Sequence, residues 1–319
     1  MSSRQQTKKT HKLTTRVRAA TAGALAFVSI LALSACSGAD FGQEKANGPI
    51  TVVSSIGQWA SLSRQLGGDK VKSQAVISNP NAEAHDYEPT TSDIGLIGRA
   101  EMVVVNGADY DAWASKAAED NDRYMINVAS LSKHKSGDNP HLWFSQQARV
   151  QAAKAITKTY QDLRPDEADY FAQRYDEWHQ QEEKLNDQLH RIGQQVKATR
   201  FVATESAADY LAQDLQLVDA TPTGFSQAIA NESEPSPADI HQFELLLSSG
   251  EAKLLVFNDQ EASAVSDQLV AAAERSSVPI VKVSEQMPAR YQDLADWIGD
   301  LANSFARALQ VDVEPVQVH

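Results

Sequence analysis

The chain has 319 residues, 42% of them hydrophobic, a formal charge of −13 and a single cysteine. That length and apolar content suit one large or two medium domains, and one cysteine excludes an internal disulfide and leaves His, Asp, Glu and backbone as the donors of any metal site. The acidic excess argues against nucleic acid as a partner, because neutralising phosphates takes a basic surface.

Residues 1–35 contain Arg4, Lys8, Lys9, Lys12, Arg16 and Arg18 and no acidic residue, so removing these six cations takes the formal charge from −13 to −19. The apolar run from Ala19 to Ala32 is too short for a spanning helix. It ends in Leu33-Ser34-Ala35-Cys36, small residues before the only cysteine, which resembles the bacterial lipoprotein cleavage box. The reading is a lipoprotein signal peptide over 1–35, with lipidated Cys36 anchoring an extracytoplasmic protein to the cell membrane. The alternative is an ordinary secretory signal with an incidental cysteine. Residues 36–48 are polar and aperiodic and read as a flexible tether, reaching at most ~40 Å when extended.

From Pro49 the pattern alternates. Ile50 to Ser54, Val71 to Ile77, Met102 to Val105 and Met125 to Val128 read as strands, with helices over Gln58 to Leu66 and Thr91 to Ile97. The nearly pure apolar run at 102–105 is that of a strand buried on both faces. Ser145 to Arg164 reads as a helix, and Pro165 restarts one that runs to about Lys197. Phe171, Tyr175, Trp178, Leu185, Leu189, Ile192 and Val196 form one stripe along it, interrupted at Glu182. At ~1.5 Å per residue it is about 45 Å long, a rigid connector between two strand-rich halves. The second half reads as strands at Arg200 to Ala203, Leu217 to Ala220, Leu254 to Phe257 and Val278 to Val283. Its helices are Ala207 to Gln213, Ser236 to Leu247, Ala262 to Ser276 and Tyr291 to Leu309. The fold class is α/β: two α/β lobes with mainly parallel sheets joined by one long helix. The lobes are assigned to 49–164 and 199–310, the connecting helix to 165–198, and a disordered tail to 311–319.

Open parallel α/β sheets bind ligands beyond the carboxyl ends of their strands. Four ionisable residues stand in such places. His85 lies in the loop after the second strand, and His141 in Asn139-Pro140-His141-Leu142-Trp143, read as a strand-to-helix junction. Glu205 follows the strand ending at Ala203, and Glu285 the strand ending at Val283. Taken singly, each has a plainer reading. Loop histidines are usually not ligands, and a carboxylate at a helix start is favoured there by the dipole. Asp86 and Glu88 read as surface or supporting groups, His134 as an auxiliary ligand at most, and His179, His190 and His241 as solvated. Trp59, Tyr87 and Trp143 read as packing residues.

Several motifs carry a resemblance: His85-Asp86-Tyr87-Glu88-Pro89-Thr90, Val103-Val104-Val105-Asn106-Gly107-Ala108, Asn139-Pro140-His141-Leu142-Trp143, Ala203-Thr204-Glu205, Asn231-Glu232-Ser233-Glu234-Pro235-Ser236-Pro237 and Val278-Pro279-Ile280-Val281-Lys282-Val283-Ser284-Glu285. Together they resemble the zinc and manganese solute-binding lipoproteins of bacterial ABC importers, over nearly all of Cys36 to Leu309. The resemblance implies two lobes joined by one long helix. It also implies a divalent transition metal, zinc or manganese, held by His85, His141, Glu205 and Glu285 and delivered to an ABC permease. The chain departs from the family in lacking a His-rich loop before the second ligand and in using a carboxylate as the third. Two imidazoles and two carboxylates lean towards manganese or iron by hardness, while intrinsic affinity rises from manganese to zinc. The expected protein is a monomer and not an enzyme. A zinc metallohydrolase is the enzymatic rival, but there is no H-E-x-x-H pattern, and four protein ligands leave no position for water. A surface adhesion module with a structural metal and a metal-chelate receptor are the non-enzymatic rivals. The bridging helix implies that metal is released by small shifts or loop rearrangement.

Overall fold

The computed structural model describes residues 48–79, 82, 84 and 87–312. The predicted signal peptide, Cys36, nearly all of the tether, His85, Asp86 and most of the tail lie outside these residues. The first half runs β1 (Ile50–Ile56), α1 (Gly57–Gly67), β2 (Val71–Ile77), α2 (Thr91–Ile97), β3 (Met102–Val105), α3 (Ala112–Asp120), β4 (Tyr124–Asn127), α4 (Val128–Leu131) and α5 (Gln146–Leu163). Then comes α6 (Ala168–Val196), preceded by a tighter helical turn over Pro165–Glu167. The second half runs β5 (Arg200–Ala203), α7 (Asp209–Asp214), β6 (Val218–Asp219), α8 (Thr223–Ala230), α9 (Pro237–Ser248), β7 (Leu254–Asn258), α10 (Ala264–Arg275), β8 (Ile280–Val283) and α11 (Leu294–Ala308).

The strands form two four-stranded sheets, ordered β2-β1-β3-β4 and β6-β5-β7-β8, and every pairing is parallel. The two orders follow the same rule: the chain leaves the first strand to one side, then crosses to the other. Each sheet therefore has a switch point, between β1 and β3 and between β5 and β7, where ligand crevices open. The inner strands are sealed on both faces: every residue of β3 and β7 is buried, as parallel sheets require. Local signals set the helix starts. Thr90 and Asp93 form a reciprocal capping box before α2, and Ser145 and Ser236 cap α5 and α9, each satisfying backbone donors left open at a helix start.

At about 1.5 Å per residue, the 29-residue α6 is ~43 Å long. Its buried face holds Phe171, Trp178, Leu185, Leu189, Ile192 and Val196, the stripe read from sequence, and Glu182 is buried within it. One core cluster runs from Trp59 and Trp143 in the first half, through Phe171 and Leu185 of α6, to Val256, Trp297 and Phe305 in the second. Among the described residues, no helix is long and apolar enough to cross a membrane.

Candidate metal centre

The first half contributes His141. The sequence places it at a strand-to-helix junction, but the structure inserts α4 between β4 and its loop, and His141 caps a single tight turn, Leu142–Phe144. Its position is fixed from beneath. Asn106, directly after β3, accepts the Trp59 indole N–H at 3.1 Å and donates its amide to the Pro140 carbonyl at 2.8 Å. The backbone N–H groups of Asn106 and Gly107 donate to the Asp111 carboxylate at 2.6 and 2.8 Å. Burial pushes the Asp111 carboxyl up, opposed by these hydrogen bonds. Gly107 is required here: its φ is +78°, and a Cβ would lie 2.4 Å from Asn127 Oδ1.

The His141 ring is 1% exposed and packs edge-on to Trp143, with centroids 5.3 Å apart. Its backbone N–H donates to Asn139 Oδ1 at 3.0 Å, and ring Nδ1 meets the same oxygen at 2.7 Å. The Asn139 amide nitrogen donates to the Ser206 carbonyl at 2.8 Å, which fixes the orientation of the amide. A carbonyl-type oxygen can only accept, so Nδ1 carries a proton and Nε2 is the ring nitrogen that faces the two carboxylates.

The second half contributes two carboxylates from strand ends. Glu205 follows β5 in extended conformation, and Glu285 follows β8 at 2% exposure. Gln58 of α1 donates to the Glu285 carbonyl at 2.6 Å, and Gln260 Oε1 accepts the backbone N–H groups of Glu285 and Gln286 at 2.7 and 2.9 Å. The Tyr110 hydroxyl donates to Glu285 Oε2 at 3.1 Å. Asn258, the last residue of β7, donates its amide to both Glu205 Oε2 and Glu285 Oε1, the latter at 2.9 Å.

His141 Nε2 lies 3.5 Å from Glu205 Oε1 and 3.7 Å from Glu285 Oε2. One donor atom from each of the three falls within 4.8 Å of the others, the one such group among the described residues. Ligands about 2.0–2.1 Å from a shared tetrahedral ion sit roughly 3.3–3.4 Å apart, so these spacings suit a first-row divalent ion. The two adjacent carboxylates, Glu285 buried and Glu205 partly so, also repel one another when both are ionised, which a dication would reverse. Nearby, burial and the neighbouring Asp219 push the Asp209 carboxyl up to about 7.

Of the four predicted donors, the structure therefore brings together His141, Glu205 and Glu285; His85 lies outside the described residues. His134 is set aside, with Ser132 Oγ at Nδ1 and the Tyr210 ring against its own. His190, His241 and Glu88 are exposed. Sequence reasoning missed Asn258, Tyr110 and Gln260. Asn258 ends an apolar strand, a position that the loop-after-strand rule covers, but it is not ionisable.

Residues 52–308 match the family model described as zinc-uptake complex component A, periplasmic. The manganese ABC transporter substrate-binding lipoprotein PsaA of Streptococcus mitis is 23% identical over 235 residues, 67% of this chain and 73% of that protein. The high-affinity zinc uptake system protein ZnuA of Bacillus subtilis is 23% identical over 239 residues, 68% and 73% of the two chains. Among solved structures, the periplasmic zinc-binding protein TroA of Treponema pallidum superposes with a TM-score of 0.69 at 20% identity, over 82% of this chain and 99% of that one. A manganese-bound periplasmic metal-binding protein of Candidatus Liberibacter asiaticus gives a TM-score of 0.64 at 17% identity, over 82% and 99%. These likenesses carry the fold: two α/β lobes joined by a long helix.

Proposed function

Because the chain belongs to the periplasmic zinc-uptake component A family, we propose that it is an extracytoplasmic solute-binding protein that captures one divalent transition metal ion, zinc or manganese, between its lobes. Its partner is an ABC permease, to which it delivers the ion as cargo. The observation that carries this reading is the convergence of His141 from one half with Glu205 and Glu285 from the other. His85 is the fourth ligand in this reading. Relatives named for manganese and for zinc uptake support the class of cargo.

The chemistry asked of these residues is binding, not turnover. His141 offers Nε2 on a ring oriented by Asn139, while Glu205 and Glu285 supply charge in a largely buried setting where attraction to a cation is less screened than in water. With His85 the set reaches four protein donors and leaves no coordination position for a reactive water, so the protein is not an enzyme. The lobes correspond to 49–164 and 199–310, with 165–198 between them. The mature protein is a monomer tethered to the membrane through lipid on Cys36.

Elemental analysis and competitive metal binding on purified protein test the reading. Wild type should hold one equivalent of zinc or manganese, and His141→Ala should lose it while remaining folded. No stoichiometric metal, or metal unaffected by the substitution, refutes the assignment.

A further inference from the structure

Asn258 is 2% exposed. Its Oδ1 accepts the Gln260 backbone N–H at 3.2 Å, which turns its NH2 group towards the two carboxylates. The two protons of that nitrogen are divided between Glu205 Oε2 and Glu285 Oε1. In both glutamates the other oxygen is the one that approaches His141 Nε2, at 3.5 Å for Glu205 Oε1 and 3.7 Å for Glu285 Oε2. One amide thus holds back one oxygen of each carboxylate and presents the second. Tyr110 adds a single bond to the presented oxygen of Glu285, at 3.1 Å.

We infer that Asn258 is the specificity-determining residue of this metal centre: by restraining each glutamate to one-oxygen ligation, it favours a four-coordinate ion of the zinc type over a six-coordinate ion of the manganese type. The inference rests on the proposed function. In the ligand set proposed above, His141 and the two single carboxylate oxygens are joined by one further imidazole, which makes four donors, the number zinc takes in tetrahedral sites. Manganese prefers an octahedral, oxygen-rich shell. Among the protein donors proposed here, the second oxygens of the two glutamates are the atoms that could enlarge the shell, and Asn258 engages both. Any site of this composition binds zinc above manganese by intrinsic affinity, so the diagnostic quantity is the change in their ratio when Asn258 is altered.

The test is zinc–manganese competition on purified full-length wild type, Asn258→Ala, Asn258→Ser and Tyr110→Phe, with X-ray absorption on the loaded proteins. Wild type with zinc should show four nitrogen and oxygen neighbours. Asn258→Ala should lower the zinc-to-manganese affinity ratio at least tenfold and raise the coordination number found with manganese. Asn258→Ser, whose single hydroxyl proton cannot serve two carboxylates, should lower the ratio similarly, and it decides the matter if the alanine variant does not fold. Tyr110→Phe removes the bond to the presented Glu285 oxygen but leaves the amide clamp, so it should weaken both ions together, and a fall in their ratio as large as that of Asn258→Ala overturns the inference. A ratio within threefold of wild type in a folded Asn258 variant overturns the inference while leaving the receptor reading intact. So does a five- or six-coordinate zinc in wild type. A wild-type protein that takes up no ion overturns both.

Discussion

A histidine ligand needs a fixed tautomer and a fixed ring plane, and Asn139 supplies both. Its Oδ1 engages the His141 backbone N–H and ring Nδ1, and its amide nitrogen donates to the Ser206 carbonyl and, at 3.4 Å, to Asp209 Oδ2. The Tyr210 hydroxyl donates to the Asn139 carbonyl at 2.8 Å. The ring of a residue from the first lobe is thus oriented through contacts with the second. Removing a group that orients a metal-binding histidine usually costs about 10–100-fold in affinity. Asn139→Ala should show that loss by competitive titration with little change in thermal midpoint. Asn139→Asp keeps the acceptor for Nδ1 but sets an oxygen against the Ser206 carbonyl and Asp209, so it should recover only part of the affinity. Wild-type affinity in the alanine variant would mean that packing against Trp143 is enough to hold the ring. The proposed donors that the structure brings together, His141, Glu205 and Glu285, were legible because they are ionisable residues in loops beside recognisable elements. The groups that aim them were not: Asn139, Asn258 and Tyr110 are uncharged, and their roles exist only once distant loops meet.

Between elements, the least ordinary contact is a buried ion pair. Glu182 interrupts the apolar stripe of α6, yet it is 2% exposed. Arg149 of α5, at 1% exposure, reaches it with Nε at 3.1 and 3.2 Å and Nη2 at 2.6 Å, and donates Nη1 to the Trp143 carbonyl at 2.9 Å. The pair therefore pins the connecting helix to the turn that follows His141. Asp214 of α7 lies close to it: burial lifts its carboxyl to about 6, opposed by Arg149 and reinforced by Glu182. Deleting one partner of a buried pair leaves an uncompensated charge and costs roughly 3–5 kcal/mol, while replacing both with apolar groups is often neutral or better. Urea unfolding should place Arg149→Ala and Glu182→Ala in that range, with Arg149→Met/Glu182→Leu recovering most of the loss. A double variant as unstable as either single would make the ion pair itself the source of stability. Sequence periodicity located α6 and its gap but not the partner, since Arg149 lies 33 residues away on a helix of its own. It also passed over α3 and α8. The buried face of α3 consists of Ala114, Ala117 and Ala118, and α8 buries only Phe225, too little apolar contrast to read as a stripe. Leu217 to Ala220 shrank to the two-residue β6, whose Val218 is 45% exposed at the sheet edge.

At the scale of the molecule, the two-lobe plan was legible because both halves alternate strands with helices around one long amphipathic segment. What holds the halves together was not, because those bonds join residues far apart in the chain. Gln58 donates to the Glu285 carbonyl, Ser61 Oγ and Arg64 donate to the Gln292 carbonyl at 2.8 and 2.9 Å, and Gln188 of α6 donates to the Gly299 carbonyl of α11 at 3.1 Å. Phe144 meets Trp297 with ring centroids 5.0 Å apart, inside the core that spans both halves. Packed cores resist continuous deformation, so a wide hinge opening would have to break this core along with the bonds. Local room exists instead around the segment that carries Glu285. Gln286, Pro288, Ala289 and Tyr291 line cavities of about 800 and 220 Å³. Metal release should therefore proceed by loosening of residues 284–293 and of the loop before His141, with the lobes nearly fixed. Solution scattering of metal-loaded and chelated protein should superimpose, while amide exchange rises in those two segments. A clear increase in radius of gyration on chelation, with exchange rising along α6, would instead mean that the connector itself gives way and that the continuous core is not what limits the motion.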